Sequence, residues 1–191
     1  MSEFKDEGTG SHIRRIGVFT KELASVLGMA ADFIETIYHA SMMHDIGKVG
    51  IPDGIMLKAG ALNDDEWKMM KSHAERGARI LSGSGSPYLM MAEQIARSHH
   101  ERWDGSGYPD GLKGEAIPLA ARITTIADQY DALRTRRAYK PAFSHGETMR
   151  IVTEGDGRTL PTHFDPRVLE AFTTDARRFD GIFQQTSENG S

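Results

Sequence analysis

Apolar residues recur at three- and four-residue intervals along almost the whole chain, the spacing that puts them on one face of a helix. Ile13, Ile16, Val18, Phe19, Leu23, Val26 and Leu27 form one such stripe, which Gly28 ends. A second helix is expected from about 30 to 43, through Phe33, Ile34, Ile37 and Met42. Segment 47–62 carries glycine and proline at short intervals and reads as loop. Asn63-Asp64-Asp65-Glu66 then places an N-cap and acidic residues where a helix of about 64–82 begins. Further helices are expected at about 88–99, 119–134, 145–154 and 166–179, the last opened by Asp165 as N-cap and Pro166 at N1. Between 101 and 118 runs a loop with glycines at 105, 107, 111 and 114 and two prolines. Loops longer than about 12 residues in compact domains tend to carry function or lack order. With no strand pattern and no internal repeat, the expected fold is all-α, a helical bundle of about seven helices. One domain over 1–184 is expected, with 185–191 a polar tail expected to be disordered.

Composition narrows the function classes. At 191 residues with 39% hydrophobic content, the chain can bury one sizeable core. No apolar run reaches the roughly 20 residues of a membrane span, and the first eight residues have no signal-peptide core. Zero cysteines exclude disulfides and thiolate ligands, pointing to a cytoplasmic setting. A net charge of −4 argues against coating nucleic acid. A phosphate-bearing substrate would then need a local positive centre, which metal ions supply.

The eight histidines are informative by position. His44-Asp45 stands where the second helix ends, His73 on the third helix, His99-His100 at the end of the fourth, and Asp128 in the fifth. A single helical histidine is most often a surface or hydrogen-bonded residue. Adjacent pairs at helix ends are different, because both members can turn into one pocket. Asp128, set among Ile123, Ile126 and Leu133, is read as a buried carboxylate, costly unless it meets a cation or metal. Imidazole and carboxylate together suit divalent first-row metals.

The local strings carry a resemblance. His44-Asp45-Ile46-Gly47-Lys48, Gly50-Ile51-Pro52-Asp53 and His99-His100-Glu101-Arg102-Trp103-Asp104-Gly105-Ser106-Gly107-Tyr108-Pro109 resemble the HD-GYP family of metal-dependent phosphohydrolases. The match continues through Ala127-Asp128, Asp131-Ala132-Leu133 and His163-Phe164-Asp165-Pro166, spanning about residues 9–172. The resemblance implies an HD-domain bundle with a central metal site. Its ligands fall on His12, His44, Asp45, His73, His99, His100 and Asp128, with Asp45 bridging two ions. It implies hydrolysis of cyclic di-GMP by an activated hydroxide to linear pGpG, which some members cut further to GMP, or hydrolysis of the related 3′,3′-cyclic GMP-AMP. Lys48 would meet the phosphate or give a proton to the leaving group, and Tyr108, Arg137 and Lys140 would bind substrate.

Three departures stand out. Gly8 occupies the position of the glutamate that family members with three metals carry, so two divalent ions (Fe, Mn or Ni) are expected, with pGpG the main product. Ala59 and Ala138 replace family prolines and bear on loop stiffness alone. His39, His145 and His163 match no ligand position, and Trp103 is read as core rather than as a platform for guanine. The expected partners are a cyclic dinucleotide, diguanylate cyclase domains or an N-terminal regulatory domain, and a second copy through the N-terminal helix. A module that binds nucleotide or a partner without turnover is the alternative, and an HD hydrolase for another phosphate ester a third.

Overall fold

The computed structural model describes residues 9–136 and 142–188. Within them are ten α-helical segments and three short 3-10 turns, with no strand. Every helix expected from the apolar periodicity is present: α1 (Thr9–Val26), α2 (Ala31–Ser41), the pair α4 (Asp64–Lys71) and α5 (His73–Leu81), α6 (Pro87–Ser98), α7 (Leu119–Arg134), α8 (His145–Glu154) and α9 (Pro166–Thr174). Between α2 and α4 the expected loop holds a 3-10 turn, Ile46–Gly50, and the one-turn helix α3 (Asp53–Met56).

Two boundaries differ from the sequence reading. The helix expected over 64–82 is interrupted at Ser72, whose backbone stays near helical angles (φ −65°, ψ −12°) so that α5 follows α4 directly. The final helix is likewise two, and α10 (Ala176–Glu188) runs past the boundary set at 184. Residues 185–188 therefore continue a helix instead of forming a disordered tail; Ile182 and Phe183 just before them pack on the core.

Helix starts follow their side chains. Asn63 and Glu66 form a capping box on α4, and Ser144 and Glu147 another on α8. Asp165 accepts from the Arg167 amide at 2.8 Å ahead of Pro166, as its sequence suggested. Helix α7 is the axis of the bundle. Ala120, Ala121, Ile123, Ile126, Ala127, Tyr130 and Leu133 are buried on nearly all its sides, the pattern of a helix surrounded by others. It packs on α1, α6, α8 and α9, while α2 joins α1 to α6. Phe19, Tyr130, Phe172 and Phe179 form a fully buried aromatic cluster, with centroids 4.9–6.1 Å apart. No helix among the described residues is long and apolar enough to cross a membrane.

Candidate metal centre

Five elements converge on one group of histidines and aspartates. The 3-10 turn after His44-Asp45 lies directly on α5: a Cβ on Gly47 would overlap the His73 carbonyl and the Gly77 amide. Glycine at 47 thus lets two backbones touch, bringing His44-Asp45 beside His73. Helix α6 ends at Ser98, so His99 and His100 turn into the same space.

Two groups of ligand atoms result, each within 4.8 Å of one another: Asp45, His73, His99 and His100 in one, and His12, His44 and Asp128 in the other. Asp45 faces both. Its Oδ1 lies 3.3 Å from His73 Nε2 and 3.7 Å from His99 Nε2, and its Oδ2 lies 3.4 Å from His44 Nε2. Asp128 Oδ1 stands 3.9 Å from His12 Nε2 and 3.8 Å from His44 Nε2. All seven residues singled out as ligands from the sequence are therefore brought together.

The tautomers are set from behind. His44 Nδ1 lies 2.8 Å from the Ser41 carbonyl, His73 Nδ1 2.7 Å from that of Met70, and His99 Nδ1 3.0 Å from that of Ile95. An Nδ1–H donated to a carbonyl leaves the Nε2 lone pair facing inward, the arrangement metal-binding histidines use. Burial, with His99 and Lys48 adding to it against the pull of Asp45, lowers the His73 pKa to about 4, and burial with His99 and His73 holds His100 well below its usual value. These rings are neutral at neutral pH. For Asp45, burial raises the pKa, but the Lys48 ammonium and His44 outweigh it and hold the carboxyl well below the ordinary range. Asp45 Oδ1 and His99 Nε2 are buried without a hydrogen-bond partner among the described residues. An inward carboxylate oxygen and an inward imidazole nitrogen left so are costly unless a cation joins them, so the donor set fits a divalent ion.

One expectation needs correction. Asp128 is not fully buried: its side chain is 24% exposed and borders a cavity of about 360 Å³. The buried carboxylate of α7 is Asp131, one turn on. Asp131 accepts from His12 Nδ1 at 2.7 Å, from Arg15 Nη2 at 3.0 Å and also from Arg15 Nε. Burial works to raise the Asp131 pKa, but these bonds outweigh it and lower it. Sequence reasoning missed Arg15 and the orienting part of Asp131, for both act through contacts more than a hundred residues apart in the chain.

The glycine-rich loop folds back over the cavity. Its backbone is tied to Glu101, whose buried carboxylate accepts the amides of Asp110 at 2.7 Å and Leu112 at 3.0 Å. A Cβ at Gly107 would come within 2.5 Å of the Glu101 Cα and 2.6 Å of the His100 carbonyl. This closeness lets the Tyr108 amide reach that carbonyl and the Tyr108 ring stack on His100 at 4.7 Å. Lys48, on the 3-10 turn, pairs with the Asp45 carboxylate. His163 also lines the cavity, whereas His145 bonds Tyr130 and His39 lies on the surface. Trp103 is half-buried under Arg122. Arg137 and Lys140, read as substrate-binding, lie outside the described residues, as do Gly8 and Ala138.

A helical bundle that buries paired imidazole–carboxylate groups at one end defines the HD class of proteins. The chain belongs to the HD domain family, whose profile matches residues 3–168, and the HD-GYP resemblance of its motifs is borne out. A cyclic di-GMP phosphodiesterase of Vibrio cholerae is 44% identical over 95% of this chain and 39% of its own length. One of Thermotoga maritima is 40% identical over 100% of this chain and 52% of its own length. A 3′3′-cGAMP-specific phosphodiesterase 2 of V. cholerae is 40% identical over 88% of this chain and 31% of its own length. The chain thus spans about half or less of these relatives. Among solved structures, a cyclic GMP-AMP specific phosphodiesterase of V. cholerae superposes with a TM-score of 0.64 at 19% identity, over 97% of this chain and 53% of the other. An HDG"Y"P protein from Bdellovibrio bacteriovorus gives 0.67 at 16% identity, over 91% and 55%. These two bear on the fold.

Proposed function

We propose that this domain hydrolyses cyclic di-GMP to linear pGpG at a centre of two divalent ions, Fe, Mn or Ni. The observation that carries the reading is Asp45, one carboxylate oxygen toward His73 and His99 and the other toward His44, between two groups of inward donors. His12, His44 and Asp128 would hold one ion, His73, His99 and His100 the other, and Asp45 both. Such ions supply Lewis acidity, lowering the pKa of water and polarising a phosphoryl oxygen. Asp45 stays ionised at neutral pH and keeps Lys48 at the edge of the centre. From there the Lys48 ammonium would meet the phosphate and give a proton to the departing 3′ oxygen as the P–O3′ bond breaks, while hydroxide, formed by release of a proton from water to solvent, makes the new P–O bond. Tyr108 forms a wall of the cavity that receives the nucleotide, and Arg137 and Lys140 complete the grip. Gly8 in place of a third-metal ligand supports stopping at pGpG. A substrate of this kind favours a cytoplasmic setting, with regulatory or diguanylate cyclase domains and a second copy as the protein partners.

The test is incubation of the Mn- or Fe(II)-loaded protein with cyclic di-GMP, products being resolved by chromatography beside Asp45→Ala. Accumulating pGpG, lost in the variant, is expected. Rapid GMP would overturn the single-cut reading, and nucleotide binding without turnover at full metal occupancy would favour a binding module.

A further inference from the structure

The cavity beside the centre has an aromatic wall that the reaction above does not use. Trp67 lines it from α4, as His100 and Asp128 do from their own elements, and remains 46% exposed. Its ring meets Tyr108 at 77° with centroids 6.2 Å apart, so the two stand as walls of a corner. One turn along α4, Lys71 also borders the cavity, its Nζ 5.8 Å from the Tyr108 ring. The first turn that carries Trp67 is fixed by the Asn63–Glu66 capping box, the Trp67 amide donates to the Asn63 carbonyl at 2.8 Å, and Lys58 donates to Glu66 at 2.6 Å. A flat ring with a cation one turn away matches a nucleobase and its phosphate. At about 360 Å³ the cavity lies near the lower end of the roughly 300–1,000 Å³ of small-molecule sites. It suits one nucleotide half rather than a whole cyclic dinucleotide.

The geometry points to Trp67 as a specificity residue that stacks one purine base of the substrate, with Lys71 over its phosphate side. The inference rests on the phosphodiesterase reading for its substrate and on the Trp67 corner for its site. It is tested in the metal-loaded chain carrying Trp103→Phe, which leaves Trp67 the sole tryptophan. GMP should quench its fluorescence saturably and ribose 5-phosphate should not. Trp67→Ala should raise KM for cyclic di-GMP about 5- to 150-fold, the span of about 1–3 kcal/mol of base stacking. The kcat, metal content and Tm should stay near wild type, and Trp67→Phe should restore most of the KM. Equal quenching by ribose 5-phosphate, or an unchanged KM in Trp67→Ala, would overturn the stacking role while leaving the phosphodiesterase intact. A fall in kcat and Tm together would show a structural role instead. Saturable quenching by GMP in a protein that cleaves no cyclic dinucleotide would uphold the stacking site and overturn the phosphodiesterase.

Discussion

Replacing Asp131 with asparagine removes one charge from the buried chain Arg15–Asp131–His12 and changes almost no volume. The side chains of Asp131 and Arg15 are 1% and 5% exposed, so solvent screens their pair little. At 3.0 Å between Arg15 Nη2 and Asp131 Oδ2, the attraction is about 5 kcal/mol at an effective dielectric of about 20. Asparagine keeps one acceptor oxygen, so a net loss of about 3 kcal/mol is expected, at the lower end for breaking a buried pair. For a chain of this length that is roughly 6–12 °C in Tm. Because folding lowers the Asp131 pKa from 3.8, its contribution is complete above pH about 4 and is lost as pH falls through the folded value. The gap between wild type and variant therefore closes in acid. His12 also loses its orienting carboxylate, so affinity at the His12–His44–Asp128 group should fall about 10- to 100-fold while the other group keeps its ion. Calorimetry across pH 3–8 and metal titration by isothermal calorimetry read both effects. Adding Arg15→Met should recover much of the stability but not the metal affinity. An Asp131→Asn protein with wild-type Tm at pH 7 and two wild-type metal affinities would refute the reasoning.

Gly107→Ala should displace the loop that carries Tyr108, cutting cyclic di-GMP turnover at least about tenfold, which kinetics on the folded variant will read. In the metal-free protein, His73 should contribute about 3 kcal/mol of stability above pH about 6.5 that is lost as pH drops towards 4, because the unfolded chain binds a proton there that the folded one does not, and His100 adds a loss of the same sign; urea titrations along pH, with His73→Asn showing the shallower slope, check this. Phe172→Ala should cost about 3–5 kcal/mol by opening a cavity beside Tyr130 and Phe179, with the metal sites unchanged, as urea denaturation and metal titration will show.

The helices were legible because most apolar residues at helical spacing face the core, although Val26 of the first stripe is 39% exposed. Phe19, Ile37, Ile95 and Ile126, each in its stripe, are all fully buried. Caps at Asn63, Ser144 and Asp165 obey local side-chain chemistry. The break at Ser72 was not legible, since a residue with near-helical angles interrupts hydrogen bonding without interrupting the stripe. The seven inward donors could be named from motifs, but their division into two groups around Asp45 needed the packing of Gly47 on α5. Apolar neighbours made Asp128 look buried, yet on α7 it is Asp131 that faces α1 while Asp128 turns to the cavity. Sequence neighbours do not reveal which side of a surrounded helix meets a cavity. Trp67 carried no signal beyond its place in an acidic helix start.

In the proposed centre Asp45 joins two ions held by two sets of side chains. Anomalous diffraction at the manganese edge from crystals of the Mn-loaded protein tests it most directly. Two peaks are expected, one among His12, His44 and Asp128 and one among His73, His99 and His100, both in contact with Asp45. A single peak, or two that do not share Asp45, would contradict it.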